Sequence, residues 1–537
     1  MRKNHLVPPT VAQKARNKQY RIAISYPPLP SDNGIPLLGQ NRQFQWFSNP
    51  TYIYPMVPSY AATLLKSYGY RVMWDDAIAE ELTPARWLRR LKRFRPNLVM
   101  METKTPVVKR HWKIIAELKK ALPKARVVLV GDHVTAMPEE SMKSSKVDFI
   151  ATGGDYDFLM LNIANYINHK EPLESGIWYR NKTNSKLETR NSKQIKNSKL
   201  KILNYSNTGH FLLNHELDDL PLIDRDLTKW RLYAYKNGNF KRTPGTYTFA
   251  ARDCWWGQCG FCAWTVLYPG KFYRKHSPKR VLDEIGMLIE KYGIKEIMDD
   301  SGSLPIGPWL KEFCVGMIER GYNKKIKIDC NMRLKALSQP EYDLMGKAGF
   351  RFILYGLESA NQKTLDRINK NLKVAEIEKG VRMAKKGGLE PHVTVMMGYP
   401  WETRRDAQRT VNLTKKLFQK GYVDTLQATI LTPYPGTPLF KYCWENDLLR
   451  TKNWEDYDQR MPVMKSPLSE KDVKELTQEL YKAFMTPKFI WRKIIGIRNG
   501  GDVKFLFRAA GKVLGHLTDF SPKGNDTDKK IETAYEK

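Results

Sequence analysis

Eleven short runs rich in apolar and β-branched residues recur along this chain in two series, each run followed by a stretch with helical periodicity. The first series covers 20–26 (YRIAISY), 70–74, 97–101, 126–131 and 147–152; the second covers 246–251, 294–299, 326–331, 350–356, 391–398 and 424–431. Strands that alternate with helices cannot be joined by tight turns, so they predict parallel sheets with the helices packed outside. The first series predicts an α/β domain over 20–168, a doubly wound, Rossmann-like sheet. Its ligands belong in loops at the carboxyl ends of strands, at Pro27-Pro28, 102–105, 131–133 and 153–155. The second series predicts a partial (β/α)6 barrel over 246–450, again with function in the loops after the strands. Residues 1–19 form an extension before the first domain, and 451–520 predict a helical region after the barrel. The rhythm is lost over 169–245, where YRNKTNSKLETRNSKQIKNSKLK predicts an exposed linker or small hairpin region; 521–537 predict a polar, disordered tail.

At 537 residues the chain is long enough for two or three domains. Lys and Arg outnumber Asp and Glu by 90 to 56, a net charge of +34. Such a surplus implies affinity for something anionic, whether nucleic acid, an acidic lipid surface or a phosphorylated substrate, and a basic proteome would give it with no partner at all. Six cysteines in this length do not make a disulfide scaffold. The basic N-terminus lacks the apolar stretch of a signal peptide, and no uninterrupted apolar run reaches the ~18 residues of a spanning helix. A cytoplasmic protein with reduced thiols is expected. The stretch FIWRKIIGIRNGGDVKFLFRAAGKVLG (489–515) interleaves bulky apolar and basic residues, as a membrane-surface helix or a helix packed on the barrel would.

Cys254, Cys259 and Cys262 follow the first strand of the second series, in RDCWWGQCGFCAWT (252–265), with the spacing C-x4-C-x2-C. A structural zinc site wants four ligands, and the only nearby histidine, His276, lies 14 residues beyond Cys262 with no partner at finger spacing. An electron-carrying [4Fe-4S] cluster wants four cysteines. Three thiolates leave one iron open to a substrate or cosubstrate. Gly257, Gly260 and Trp255-Trp256 make this a turn-rich loop rather than a core segment, whereas Cys314, Cys330 and Cys443 read as buried apolar residues.

At these residues the sequence resembles the radical S-adenosylmethionine (SAM) superfamily, whose usual spacing is C-x3-C-x2-C with an aromatic before the last cysteine, here Phe261. The extra residue between the first two cysteines must bulge for the thiolates to converge. The resemblance implies that SAM is contacted by Asp299, Asp300 and Ser301 in MDDSGSLP, by Asn331 and Arg333 in CNMRL, and by Glu358 in YGLESANQKTLDRINK. The stretches MGYPWET (397–403) and LTPYPGTPLF (431–440) are similar to the family's later loops. The N-terminal half resembles the cobalamin-binding domain that precedes such barrels, through 54–77, 95–105 and 127–158, which implies corrinoid contacts at Gly131, His133, Thr135, Gly153 and Gly154. No Asp-x-His-x-x-Gly hexad occurs, so the lower face of the cobalt is left open or held by something else. Gly154 stands where relatives often have Glu before Asp155, and His133 either touches the corrin or is structural.

The resemblance thus implies three cofactors: a [4Fe-4S] cluster, SAM and cobalamin. It implies cleavage of SAM to a 5′-deoxyadenosyl radical, removal of hydrogen from an unactivated carbon, and methyl transfer from methylcobalamin to a small-molecule or lipid substrate. Methyl transfer to phosphorus is a less frequent variant. A reductant such as ferredoxin or flavodoxin and peripheral contact with an anionic membrane follow as partners; nucleic acid is not expected. A cyclase or rearrangement enzyme, like the anaerobic magnesium-protoporphyrin monomethyl ester cyclase and hopanoid-modifying relatives, is the alternative. A transfer-RNA methylthiotransferase is a third reading, although the N-terminal half has no cysteine before Cys254 to hold an extra cluster. A non-catalytic cobalamin or redox sensor is the fourth.

Overall fold

The computed structural model describes residues 4–38, 46–48, 51–181, 204–237, 240–252, 254–269, 273–482, 486–497 and a few positions from 500 to 511. The expected tail over 521–537 lies outside the described residues. Within them, every run of the first series forms a strand: β1 (Arg21–Tyr26), β2 (Arg71–Asp76), β3 (Leu98–Glu102), β4 (Arg126–Val130) and β5 (Phe149–Ala151). They lie parallel in the order β2-β1-β3-β4-β5, with Ile22 opposite both Val72 and Leu98. Helices cover both faces of such a sheet, which is why β3 (LVMME) is buried at every position. The strand order reverses between β1 and β3, which opens a crevice at their carboxyl ends.

The sheet does not stop at residue 168. Strands β6 (Ile177–Arg180) and β7 (Tyr205–Asn207) add to β5 in antiparallel fashion, enlarging the sheet to seven strands. The hairpin alternative for this polar stretch is the one seen for these two strands.

The second series forms β8 (Gly245–Thr248), β9 (Glu296–Asp299), β10 (Lys327–Met332), β11 (Phe350–Glu358), β12 (Glu390–Met397) and β13 (Thr425–Ile430). All six are parallel and lie in sequence order, which is the open partial barrel expected. The helix Pro278–Tyr292 shows why the units are regular: the Ser277 hydroxyl accepts the Arg280 N–H, Pro278 occupies the first turn, and Gly293 closes the helix at φ 63°. One apolar core runs continuously through both sheets. After β13, the helix Glu470–Tyr481 packs on the barrel, where the Tyr481 hydroxyl donates to the Ala428 carbonyl at 3.1 Å. The helix Pro487–Ile495 lies on the helix Arg404–Gln419 through Phe489, whose ring centroid is 5.7 Å from that of Phe418. Among the described residues no helix is long and apolar enough to cross a membrane.

Candidate functional site

The chain leaves β8, pairs briefly at Ala251–Arg252 with Arg274–Lys275, and enters the cysteine loop. Gly257, at φ 59°, turns the four residues between Cys254 and Cys259. Gly260 is tied on both sides: its N–H donates to the Ile368 carbonyl and its carbonyl accepts the Leu439 N–H, each at 2.8 Å. None of the six cysteines is in a disulfide. Donors converge on the sulfurs. The backbone N–H groups of Gly257 and Trp256 point at Cys254, that of Trp264 at Cys262, and Arg333 Nη1 lies 3.8 Å from Cys259 Sγ. Burial pushes the Cys254 thiol up, and burial with Cys259 alongside pushes Cys262 up to about 12.

This donor set has the chemistry an iron–sulfur cluster needs. Hydrogen bonds aimed at sulfur suit thiolates that carry charge, and iron deprotonates a thiol that burial alone keeps protonated. Among the described residues, no three His, Cys, Asp or Glu side chains stand close enough to share one metal ion. A cluster does not require that, because each thiolate binds a different iron. The residues fit the cluster.

The strand-end residues divide into two groups. Asp299 and Ser301 hold the cysteine loop by its root: Asp299 Oδ2 accepts the Ala250 N–H at 2.7 Å, and Ser301 Oγ accepts the Ala251 N–H at 2.9 Å. Burial raises the Asp299 carboxyl to about 6 despite these bonds. Asp300 N–H donates to the Thr248 carbonyl at 2.9 Å, and the Asn331 amide donates to the Ser301 carbonyl at 2.8 Å. The second group faces the sulfurs. Arg333 stacks beside Trp255 and Trp256, at 5.4 and 5.1 Å from the ring centroids, and donates to the Lys370 carbonyl. Lys370 Nζ donates to Glu358 Oε1 at 2.6 Å, and Glu358 itself sits at φ 66°. Burial lowers the Lys370 ammonium, but the charges of Glu358 and Cys259 outweigh it and hold the group up. The Trp255 Nε1 and the Tyr399 hydroxyl are buried there with no hydrogen-bond partner among the described residues. Buried polar atoms are paired as a rule, so two orphans beside the thiols mark a place for a ligand.

On the N-terminal side, Thr135 Oγ1 donates to the Gly131 carbonyl at 2.7 Å and accepts the Gly153 N–H at 3.0 Å, joining the loops after β4 and β5. A Cβ at Gly153 would collide with the Phe211 ring, and one at Gly154 with the Tyr268 ring. Tyr268 belongs to the segment after the cysteines, and its close approach leaves no room for a side chain at 154. His133 is buried, 3.2 Å from Thr105 Oγ1 and 3.3 Å from Glu140 Oε2, with its ring against Trp454. Both of its nitrogens therefore have protein partners.

Two features had no sequence signal of their own. The first is a buried ion network that clamps the cysteine loop to the N-terminal sheet. Arg252, fully buried two residues before Cys254, binds Asp155 Oδ1 at 3.0 Å and Asp157 Oδ1 at 2.9 Å and also pairs with Asp157 Oδ2. Arg274 grips the two oxygens of Asp155 at 2.7 Å each. Burial alone would raise the Asp155 carboxyl, and Arg274, His215 and Arg252 together hold it well below the usual range. His215 bridges Asp155 and Glu174 at 3.2 and 3.0 Å and stacks on Phe158. Burial lowers this imidazole, but the two carboxylates outweigh it and lift it to about 9 from 6.5. A group whose folded value is raised stabilises fully below its unfolded value and loses that contribution as pH rises through the folded one. The melting temperature is therefore expected to fall between pH 6.5 and 9, and His215→Asn to flatten that slope in a thermal-shift series.

The second is a strap over 451–464. Its Trp454 Nε1 donates to Glu140 Oε1 at 2.9 Å, Glu455 accepts from Arg110 at 3.1 Å, and the Tyr457 carbonyl accepts the Tyr434 hydroxyl at 3.1 Å. The strap thus reaches from the barrel loop after β13 to the N-terminal helices. On it Gln459, 1% exposed and at φ 64°, leaves both amide atoms without a partner among the described residues.

Residues 250–414 match the Radical SAM superfamily. The chain is 26% identical over 459 residues to an uncharacterized methyltransferase of Pyrococcus horikoshii, covering 82% of this chain and 90% of that one. It is 25% identical to the anaerobic magnesium-protoporphyrin IX monomethyl ester cyclase of Cereibacter sphaeroides, over 76% of this chain and 63% of that one. Among solved structures, the radical SAM methyltransferase TsrM of Kitasatospora setae, with cobalamin and a [4Fe-4S] cluster bound, superposes with a TM-score of 0.62 at 13% identity, covering 96% of this chain and 98% of that one. The cobalamin-dependent SAM radical enzyme OxsB superposes at 0.64 with 11% identity, covering 96% and 75%. The match to the radical SAM superfamily falls on residues 250–414, and the likeness in fold to TsrM and OxsB extends over 96% of the chain.

Proposed function

We propose that this protein is a cobalamin-dependent radical SAM methyltransferase, acting on an unactivated carbon, or less often a phosphorus, of a small-molecule or lipid substrate. The observation that carries this reading is the three-cysteine loop, with donors aimed at its sulfurs, clamped against the carboxyl-end loops of a second parallel sheet. The similarity to a methyltransferase over 82% of the chain supports it. When bound, the cluster and SAM supply a hydrogen-abstracting radical, and cobalamin supplies the methyl group.

The chain's own residues bind and orient. Cys254, Cys259 and Cys262 hold the cluster. Asp299 and Ser301 act as positioning residues, because they fix the backbone at Ala250 and Ala251 from which the loop springs. Arg333 and Lys370 place positive charge beside the sulfurs, which stabilises a cluster that gains an electron. Trp255 and Trp256 flank the Arg333 guanidinium and hold it beside Cys259. Asp300, Asn331, Arg333 and Glu358 are assigned to SAM, and the loops of Gly131, His133, Thr135, Gly153 and Gly154 to the corrinoid. A ferredoxin or flavodoxin serves as reductant.

Gln459 lies on the strap whose Trp454 packs on His133, and its amide would offer a hydrogen bond to a carboxamide of the corrinoid. Gln459→Leu is expected to weaken hydroxocobalamin binding by about tenfold in an absorbance titration. The same change should stabilise the ligand-free protein by about 1 kcal/mol, because a buried unsatisfied amide is removed. If binding is unchanged, Gln459 does not face the corrinoid.

The deciding experiment is anaerobic cluster reconstitution with cobalamin and SAM, followed by product analysis with cell extract. Methyl transfer requires S-adenosylhomocysteine and 5′-deoxyadenosine to form together. The cyclase relatives, 25% and 23% identical over 76% of the chain each, favour cyclisation or rearrangement as the second reading. That reading requires 5′-deoxyadenosine without S-adenosylhomocysteine.

A further inference from the structure

The helix Pro487–Ile495 has two unlike faces. One is fastened to the barrel: Phe489 packs on Phe418, Arg492 donates to the Phe418 carbonyl, and Lys493 pairs with Asp424 at 3.1 Å. The other carries Ile490, Trp491, Ile494 and Ile495, which are 47, 64, 51 and 63% exposed. Positions spaced i, i+1, i+4 and i+5 form a single stripe, so these side chains make one patch. Farther along the chain Phe507 is also exposed, at 76%. A contiguous apolar stripe of this kind on a fixed helix marks a contact surface.

Charge decides what covers it. From 488 to 512 the sequence holds seven Lys and Arg against a single acid, Asp502, and five of the seven remain once Arg492 and Lys493, turned to the barrel, are set aside, on a chain of net charge +34. A second copy would bring one cationic face against another. Nucleic acid offers phosphates but no apolar phase for isoleucine and tryptophan. An anionic bilayer surface offers both, taking the apolar stripe at the depth of the headgroups while the cations meet the phosphates. We infer that this stripe docks the protein peripherally on an anionic lipid surface, with the barrel helix Arg404–Gln419 behind it as a rigid support.

The test is flotation of the full-length, cluster-loaded protein with vesicles of phosphatidylcholine alone and of phosphatidylcholine mixed with phosphatidylglycerol. Binding to the mixed vesicles only, weakened by added salt, supports the inference. The double variant Ile494→Asp/Ile495→Asp should reduce the bound fraction at least about tenfold, since each aspartate must enter the apolar boundary. Unchanged SAM cleavage by the variant shows that it is folded. Absence of binding to the mixed vesicles overturns the inference, as does binding that the double variant leaves intact. A dimer in light scattering that the double variant disperses overturns it in favour of self-association.

Discussion

With Cys254, Cys259 and Cys262 replaced together by alanine, the protein is expected to stay folded, to lose its iron, and to cleave SAM at least about a thousandfold more slowly, a barrier change of about 4 kcal/mol. The fold survives because the loop is held by bonds that do not involve sulfur, those of Gly260 to Ile368 and Leu439. Iron analysis, the near-ultraviolet and visible absorbance of the reconstituted protein, and chromatography of 5′-deoxyadenosine check the three parts separately. Cys314, Cys330 and Cys443 provide the control, since all three are buried in the core. Replacing any one of them should leave the iron content intact. If the triple variant cleaves SAM at the original rate, the radical reading fails.

Arg252→Ala has the largest expected effect on stability. It leaves Asp155 and Asp157 buried without their shared guanidinium, and removing one partner of a buried pair costs about 3–5 kcal/mol. Arg252→Lys should recover little of this, because an ammonium cannot span the oxygens of two carboxylates as a planar fork does. Urea denaturation read by circular dichroism measures the loss. Iron loading read on the same variant tests the link to function, since Arg252 stands only two positions before Cys254. A midpoint within error of the parent would show that the clamp contributes nothing net.

The sequence made the scaffold legible because its signals are local. Eleven β-rich runs and the helices between them identify both sheets, and the spacing of Cys254, Cys259 and Cys262 is contained within nine residues. What it hid depends on distance along the chain. Nothing in RDC at 252–254 says that Arg252 will meet DYD at 155–157, because charge pairing across 97 residues has no periodicity to read. Strands β6 and β7 were half legible: a stretch rich in Lys, Asn and Ser reads equally as an exposed linker or a small hairpin, and its neighbours Trp178 and Tyr205 carry the aromatic content of an edge hairpin. Asp299 and Ser301 stand out as polar residues after a strand, but the structure gives them backbone partners at Ala250 and Ala251. Gln459 illustrates the limit best, since a glutamine in a polar stretch reads as surface and only the fold reveals it as buried.

The clamp at Arg252 also bears on the order in which the molecule is completed. The acids that secure this arginine belong to the first sheet, which is synthesised first, and the thiols to the barrel that follows it. Until sheet and barrel meet, the root of the thiol-bearing loop hangs from a strand end without its ionic anchor. The finished interface between sheet and barrel, and not the barrel alone, therefore sets where the thiol-bearing loop stands.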